Sequence, residues 1–261
     1  MWNISFISEE DFEKHVLQTI QKYGEKLKSY DLKKFNSNII DPVKLVFDKT
    51  IYGLEWNEII DSEVYRQRDK SNNNDIGYFH QNIFKYIQGC TVPDTGWDVI
   101  FENPDGIESS DGDFVKSIKV EMKNKHNTMN SASGARTYAK MALEIASDDD
   151  CACYLVEAIS KNSKNEKWGT TLDGQRRSHK KIRKVSLDRF YELVTGEEDA
   201  FYQICMILPE TIEKILNQSS EIEKPNDTVL GELFLIADER NIPISMALNL
   251  LAFGTYKGFN A

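Results

Sequence analysis

At 261 residues, 40% hydrophobic and 28% charged, the chain can bury a full core and lies far from a disordered composition. A formal net charge of −10 excludes a protein that coats nucleic acid by bulk charge alone. The longest C-terminal apolar run, residues 242–254, is too short to cross a bilayer.

The N-terminal residues lack a basic start followed by a long apolar run, so a cytoplasmic protein with no secretory signal and no membrane partner is expected. Cys90, Cys151, Cys153 and Cys205 form no CxxC pair and read as core thiols of a reducing compartment.

The first third reads as helical. Ser8 before Glu9, Glu10 and Asp11 is an N-cap with an acidic first turn, and Phe12, Val16, Leu17 and Ile20 follow at helical spacing. A second helix has Pro42 just inside its start and Gly53 past its end. Trp56, Ile59, Ile60 and Val64 form one stripe, which the polar run Ser71 to Asn74 ends. Ile76, Phe79, Ile83, Phe84 and Ile87 then start another.

From Gly89 the texture changes. Turn signals flank a short strand, Trp97 to Phe101, and a loop rich in Asp, Ser and Gly leads to a longer strand, Val115 to Lys123. A small-residue helix over 131–146 and an apolar strand over 151–159 follow, the latter expected at the centre of a sheet covered on both sides. Helices are expected at 187–194, 201–216 and 229–252, the last interrupted at Pro243. The order implies one α/β (α+β) unit: a mainly helical part at 1–88, a hairpin, helix and strand core at 89–160, and a basic segment with C-terminal helices at 161–261.

Charge is unevenly spread. Residues 161–189 carry ten Lys/Arg against three acids, net +7, and residues 116–140 carry six against Glu121 alone, net +5. A polyanion gripped on one face and repelled elsewhere suits that split; a solvated basic face is the plainer alternative.

In the longer strand Ile118, Val120 and Met122 alternate with Lys119, Glu121 and Lys123, so Glu121 and Lys123 share a face about 7 Å apart. If the preceding strand pairs antiparallel, Asp98 comes beside Glu121. Two adjacent carboxylates repel unless a cation lies between them, and Mg²⁺ accepts such hard oxygens while keeping waters and phosphate oxygens. Lys123 could then hold or deprotonate a water and stabilise charge at phosphorus. The pattern suits metal-assisted phosphodiester hydrolysis, and equally a half-buried strand with a solvated polar face.

An acid in one strand, Glu-x-Lys in the next, then a crossover helix and a central strand resemble the core of the PD-(D/E)XK nuclease superfamily. "NDIGYFHQNIF", "TGWDVIFEN" and "VEMKNKHNTMNSAS" further resemble type II restriction endonucleases that cleave GGNCC. The resemblance implies a restriction-endonuclease-like mixed sheet flanked by helices, metal ligands at Asp98 and Glu121, and Lys123 as the catalytic lysine. It also implies Mg²⁺ as cofactor, double-stranded DNA as substrate, a homodimer, and a cognate DNA methyltransferase as a functional partner. The literal Pro-Asp of the motif is Pro93-Asp94, which leaves Asp94 a rival to Asp98.

Other candidates lie nearby. Lys125, His126 and Asn127 follow the catalytic strand and either contact DNA or turn the chain towards the next helix. Asp75 or Gln81 could complete the metal site from a helix. Arg176, Arg177, Lys180, Lys181 and Arg183 are expected to meet DNA, mostly at phosphates, with an arginine available for guanine. A structure-specific or repair nuclease of the same core, or a non-catalytic DNA-binding module, are the competing readings.

Overall fold

The structure, a computed structural model, describes residues 2–108, 112, 114–172, 174–218 and 225–255. Packing divides the chain into two compact units, Met1–Ile20 with Asp75–Ser220, and Gln21–Asn74 with Glu221–Ala261, where the sequence reads as one. Each unit encloses apolar clusters of its own.

Helix α1 (Glu9–Lys26) starts as expected. Ser8 Oγ accepts from the Asp11 amide at 3.1 Å and donates to its carboxylate at 2.7 Å, satisfying a free N–H of the first turn. Phe12 and Val16 are buried. Short α2 (Leu32–Phe35) is followed by α3 (Pro42–Tyr52), capped by the Asp41 carboxylate and ended by Gly53 in the left-handed region.

Helix α4 (Trp56–Asn82) corrects the expected break at residues 71–74: it runs straight through them and ends in a 3₁₀ turn, Ile83–Tyr86. Asparagine is a weak helix former but neither blocks the hydrogen-bond ladder nor lacks an N–H, so a short polar run costs only tenths of a kcal/mol per residue, roughly. The Asn73 amide also donates to the Asp69 carbonyl and carboxylate at 3.0 and 2.9 Å.

The first unit is built on a mixed six-stranded sheet: β1 (Cys90–Thr91), β2 (Val99–Glu108), β3 (Phe114–Lys125), β4 (Cys151–Ile159), β5 (Asn165–Leu172) and β6 (Gln175–Ser186), in the order β1-β2-β3-β4-β6-β5. β2 and β3 form the expected antiparallel hairpin, with Val99 opposite Val120 and Phe101 opposite Ile118. Helix α5 (Ser131–Ser147) carries the chain across to β4, which lies parallel to β3. β4 is central as expected, Cys151 through Val156 being wholly buried.

The β5–β6 hairpin is an addition, since only helices were expected beyond Ile159. It turns at Gly174 (φ +75°), and β6 runs parallel to β4 with Cys153 opposite Ile182. Then come α6 (Leu187–Thr195), α7 (Ala200–Gln218), α8 (Val229–Arg240) and α9 (Ile244–Phe253), the last two separated at Pro243 as expected.

Alternation along the strands sorts the sheet into two faces. Val99, Phe101, Ile118, Val120, Tyr154, Val156 and Val185 join a cluster with Phe190 and Tyr191 of α6. Cys153, Leu155 and Ile182 face the other way, against Tyr138, Met141 and Ile145 of α5. Cys90, Cys151 and Cys153 are buried thiols; Cys205 is exposed, unlike the expected core thiol. Among the described residues no helix is long and apolar enough to cross a membrane.

The second unit is helical. Phe35, Leu45, Ile60 and Val64 pack with Val229, Leu233, Ala247 and Leu248, joining two segments far apart in sequence. Arg68 clamps Asp227 through two nitrogens at 2.6 and 3.0 Å, and Asp227 also accepts from the Tyr30 amide at 2.8 Å.

Candidate active site

The alternation that buries Val120 turns Glu121 and Lys123 to the α5 face of the sheet. Asp98 lies one residue before β2 rather than within it, yet its amide donates to the Val120 carbonyl at 2.9 Å and so extends the ladder. Val99 opposes Val120, and Asp98, the residue before it, lies near enough to Glu121, Lys123 and Lys140 for their charges to act on its carboxyl. Its carboxylate accepts from the Met122 amide at 2.7 Å, which fixes it between the two strands.

Charge is concentrated here. Lys123 Nζ lies 3.5 Å from Glu121 Oε2, while the ammonium of Lys140, one helix away on α5, bonds Glu121 Oε1. Lys140 also donates to the Gly96 carbonyl at 2.6 Å and lies 3.9 Å over the Trp97 ring. Burial pushes the Asp98 carboxyl above its ordinary range and the charge of Glu121 adds to that, against the Met122 amide, Lys123 and Lys140. A second acid at close range thus disfavours ionisation of Asp98, a repulsion that a cation between the two would relieve.

The donor set fits a hard divalent ion. Among the described residues no cluster of three or more His, Cys, Asp or Glu side chains is placed to hold a metal, and the acids at this site are Asp98 and Glu121. Mg²⁺ suits such a site, because it retains waters and is held by one or two carboxylates together with phosphate oxygens.

The auxiliary candidates separate. Gln81 reaches the site, but its amide donates to the Asp98 main-chain carbonyl at 3.1 Å, so it positions the strand rather than presenting an oxygen beside the carboxylates. Asp75, six residues earlier on α4, is buried and points about 120° away round the helix. Asp94 is exposed in the bend before Asp98. Burial pushes the His80 imidazole down to about 4, so that neighbour of Gln81 stays neutral near pH 7.

After Glu121 and Lys123 the chain turns. Lys125 ends β3, the Thr128 hydroxyl donates to the Lys125 carbonyl at 2.9 Å, and the Asn130 side chain caps α5 at the Ser133 amide. Lys125 and Asn127 are exposed beside this turn, while His126 is half-buried with its amide on the Ile159 carbonyl. The segment turns the chain and leaves two polar side chains outward.

The basic block lies on β6. Arg176, Arg177 and Lys180 are exposed on the ribbon, and Lys181 bonds the Asp149 carbonyl. Because β6 runs parallel to β4, this end of the ribbon lies beyond the start of β4, whereas Glu121 and Lys123 lie level with Leu155 and Glu157 near its end. The structure therefore does not gather the block around the carboxylates of the same chain. Arg183 corrects its expected surface role: it is 3% exposed, and its guanidinium bonds the Asn165 carbonyl at 2.6 Å, tying β6 to β5.

Lys140 and Glu157 are charged residues of this face that went unread in the sequence. Glu157 is buried on β4 beside Lys123 and held by Lys164 at 3.1 Å, Lys184 at 3.2 Å and the Ser160 hydroxyl at 3.2 Å. An acid near the end of an otherwise apolar strand was its signal.

Residues 4–217 match a family model described as Eco47II restriction endonuclease. The chain is 29% identical to the type II restriction enzyme Sau96I of Staphylococcus aureus, over 93% of this chain and 92% of that protein. It is 31% identical to the type II restriction enzyme Eco47II of Escherichia coli, over 82% of this chain and 89% of that protein.

Proposed function

The chain belongs to the Eco47II restriction endonuclease family, a type II site-specific deoxyribonuclease acting on double-stranded DNA, and from that premise we propose that Asp98, Glu121 and Lys123 are its catalytic residues. The observation that carries the assignment is the Asp98 carboxylate held on the Met122 amide within reach of the charge of Glu121, with Lys123 at 3.5 Å from Glu121.

Asp98 and Glu121 would hold Mg²⁺, and a bound ion would supply polarisation of the scissile phosphate and of its attacking water. The Met122 amide keeps the Asp98 carboxylate aimed at that place, and Gln81 keeps its backbone there. Lys123 orients the water and offsets negative charge building on the phosphoryl oxygens. Water oxygen bonds to phosphorus, the P–O bond to the leaving sugar oxygen breaks, and a proton from water ends on the leaving hydroxyl. Outside the site, Lys125, His126 and Asn127 and the ribbon residues Arg176, Arg177, Lys180 and Lys181 serve DNA contact.

Two copies of the chain, each cutting one strand, account for a double-strand cut in a palindrome. GGNCC is the proposed site, supported by the wording of residues 74–133, and a methyltransferase protecting that sequence is the expected functional partner. Sequencing the ends produced from plasmid with Mg²⁺ tests this: cuts confined to GGNCC support the reading. Cuts at DNA junctions or flaps irrespective of sequence would make it a structure-specific nuclease.

A further inference from the structure

Lys140 does more in this structure than cover a helix surface. Its ammonium bonds Glu121 Oε1 and the Gly96 carbonyl, two residues before Asp98, so one cation ties together the segments that supply both acids. Its contact with the Trp97 ring at 3.9 Å holds the ammonium over that loop. Glu121 is only 16% exposed along its side chain and lies near enough to Asp98 for its charge to act there, so the cation nearest Glu121 Oε1 offsets, together with Lys123 at 3.5 Å, the charge of two acids that repel each other.

We propose that Lys140 is a resident counter-cation of the Asp98–Glu121 pair and sets how weakly the DNA-free protein binds a divalent metal. This rests on the assignment of the metal to those two carboxylates. A metal entering between them either displaces the ammonium from Glu121 or binds beside a like charge; both lower affinity. Arriving phosphates offer the ammonium new acceptors, so metal loading becomes coupled to DNA. Lys140 is thus a positioning residue, acting through Glu121.

The test uses the full-length, DNA-free protein with Mn²⁺ as probe, read by isothermal titration calorimetry and by the rise in melting temperature on adding Mn²⁺. Lys140→Met and Lys140→Gln both lose the charge, and the second keeps a donor for Gly96. Both should bind Mn²⁺ at least about tenfold more tightly than wild type and gain more from it in melting temperature, while Lys140→Arg stays within about threefold of wild type. Unchanged or weaker binding in the two charge-free variants overturns the proposal, as does equal tightening in Lys140→Arg. Glu121→Gln and Asp98→Asn separate the two claims. If they bind Mn²⁺ as wild type does, the metal assignment itself fails and the counter-cation role falls with it. If they lose binding while Lys140→Met does not gain it, only the role of Lys140 is lost.

Discussion

Asp98 brackets Glu121 on the facing strand: its amide donates to the Val120 carbonyl at 2.9 Å and its carboxylate accepts from the Met122 amide at 2.7 Å. The acid from one strand is therefore held by the backbone of the other, and neither can shift register without separating the pair. A slip by one residue would turn Glu121 and Lys123 to the apolar face that holds Val120.

Glu157 is the buried acid that Lys164 and Lys184 share beside Lys123, on the face of the sheet that carries Cys153, Leu155 and Ile182. Glu157→Ala leaves Lys184 without its acid and Lys164 with Glu166 alone, at 3.4 Å, and should lower stability by about 3 kcal/mol, since breaking a buried ion pair strands a charge. Glu157→Gln should lose less, because the amide oxygen still accepts. Chemical denaturation of the three proteins checks the order.

Arg183 and the outer arginines of the same strand should behave in opposite ways. Arg183→Ala removes the interior bond to Asn165 and should cost about 2 kcal/mol. Replacing exposed Arg176 and Arg177 together by Gln should leave the melting curve nearly unchanged. If both meet phosphates, the slope of log K against log salt falls by about two. Binding in Ca²⁺ across a salt series distinguishes these outcomes.

Asp227 makes the second unit acid-sensitive. Burial raises its pKa, but the Arg68 guanidinium and the Tyr30 amide outweigh that, so its folded pKa lies below the ordinary 3.8. A depressed folded pKa means that the stabilisation is complete above the unfolded value and lost as pH falls through the folded one. Asp227→Asn should cost about 1 kcal/mol at pH 7, given partial exposure of the pair. The difference from wild type should shrink below about pH 4. Melting temperatures from pH 7 to pH 3 follow it.

The acid pair was legible because period-2 alternation assigns faces without knowing what packs on them, and one antiparallel pairing then brings Asp98 to Glu121. Lys140 was not, since its contact depends on how α5 docks over the hairpin. The β5–β6 ribbon was hidden by charge density: Ile182 and Val185 are the apolar residues of β6, although Asp173-Gly174 is a hairpin dipeptide. Exposed at its tip, the ribbon has no apolar alternation to read. The helical second unit is not legible locally because residues 21–74 share their core with residues beyond 225.

Cleavage by Lys123→Ala tests the central claim most directly. In single-turnover reactions with Mg²⁺ on a duplex carrying one GGNCC site, wild type should cut both strands, and the variant should be slower by at least about 10³-fold while binding the same duplex in Ca²⁺. Cutting by Lys123→Ala at the wild-type rate would contradict the account.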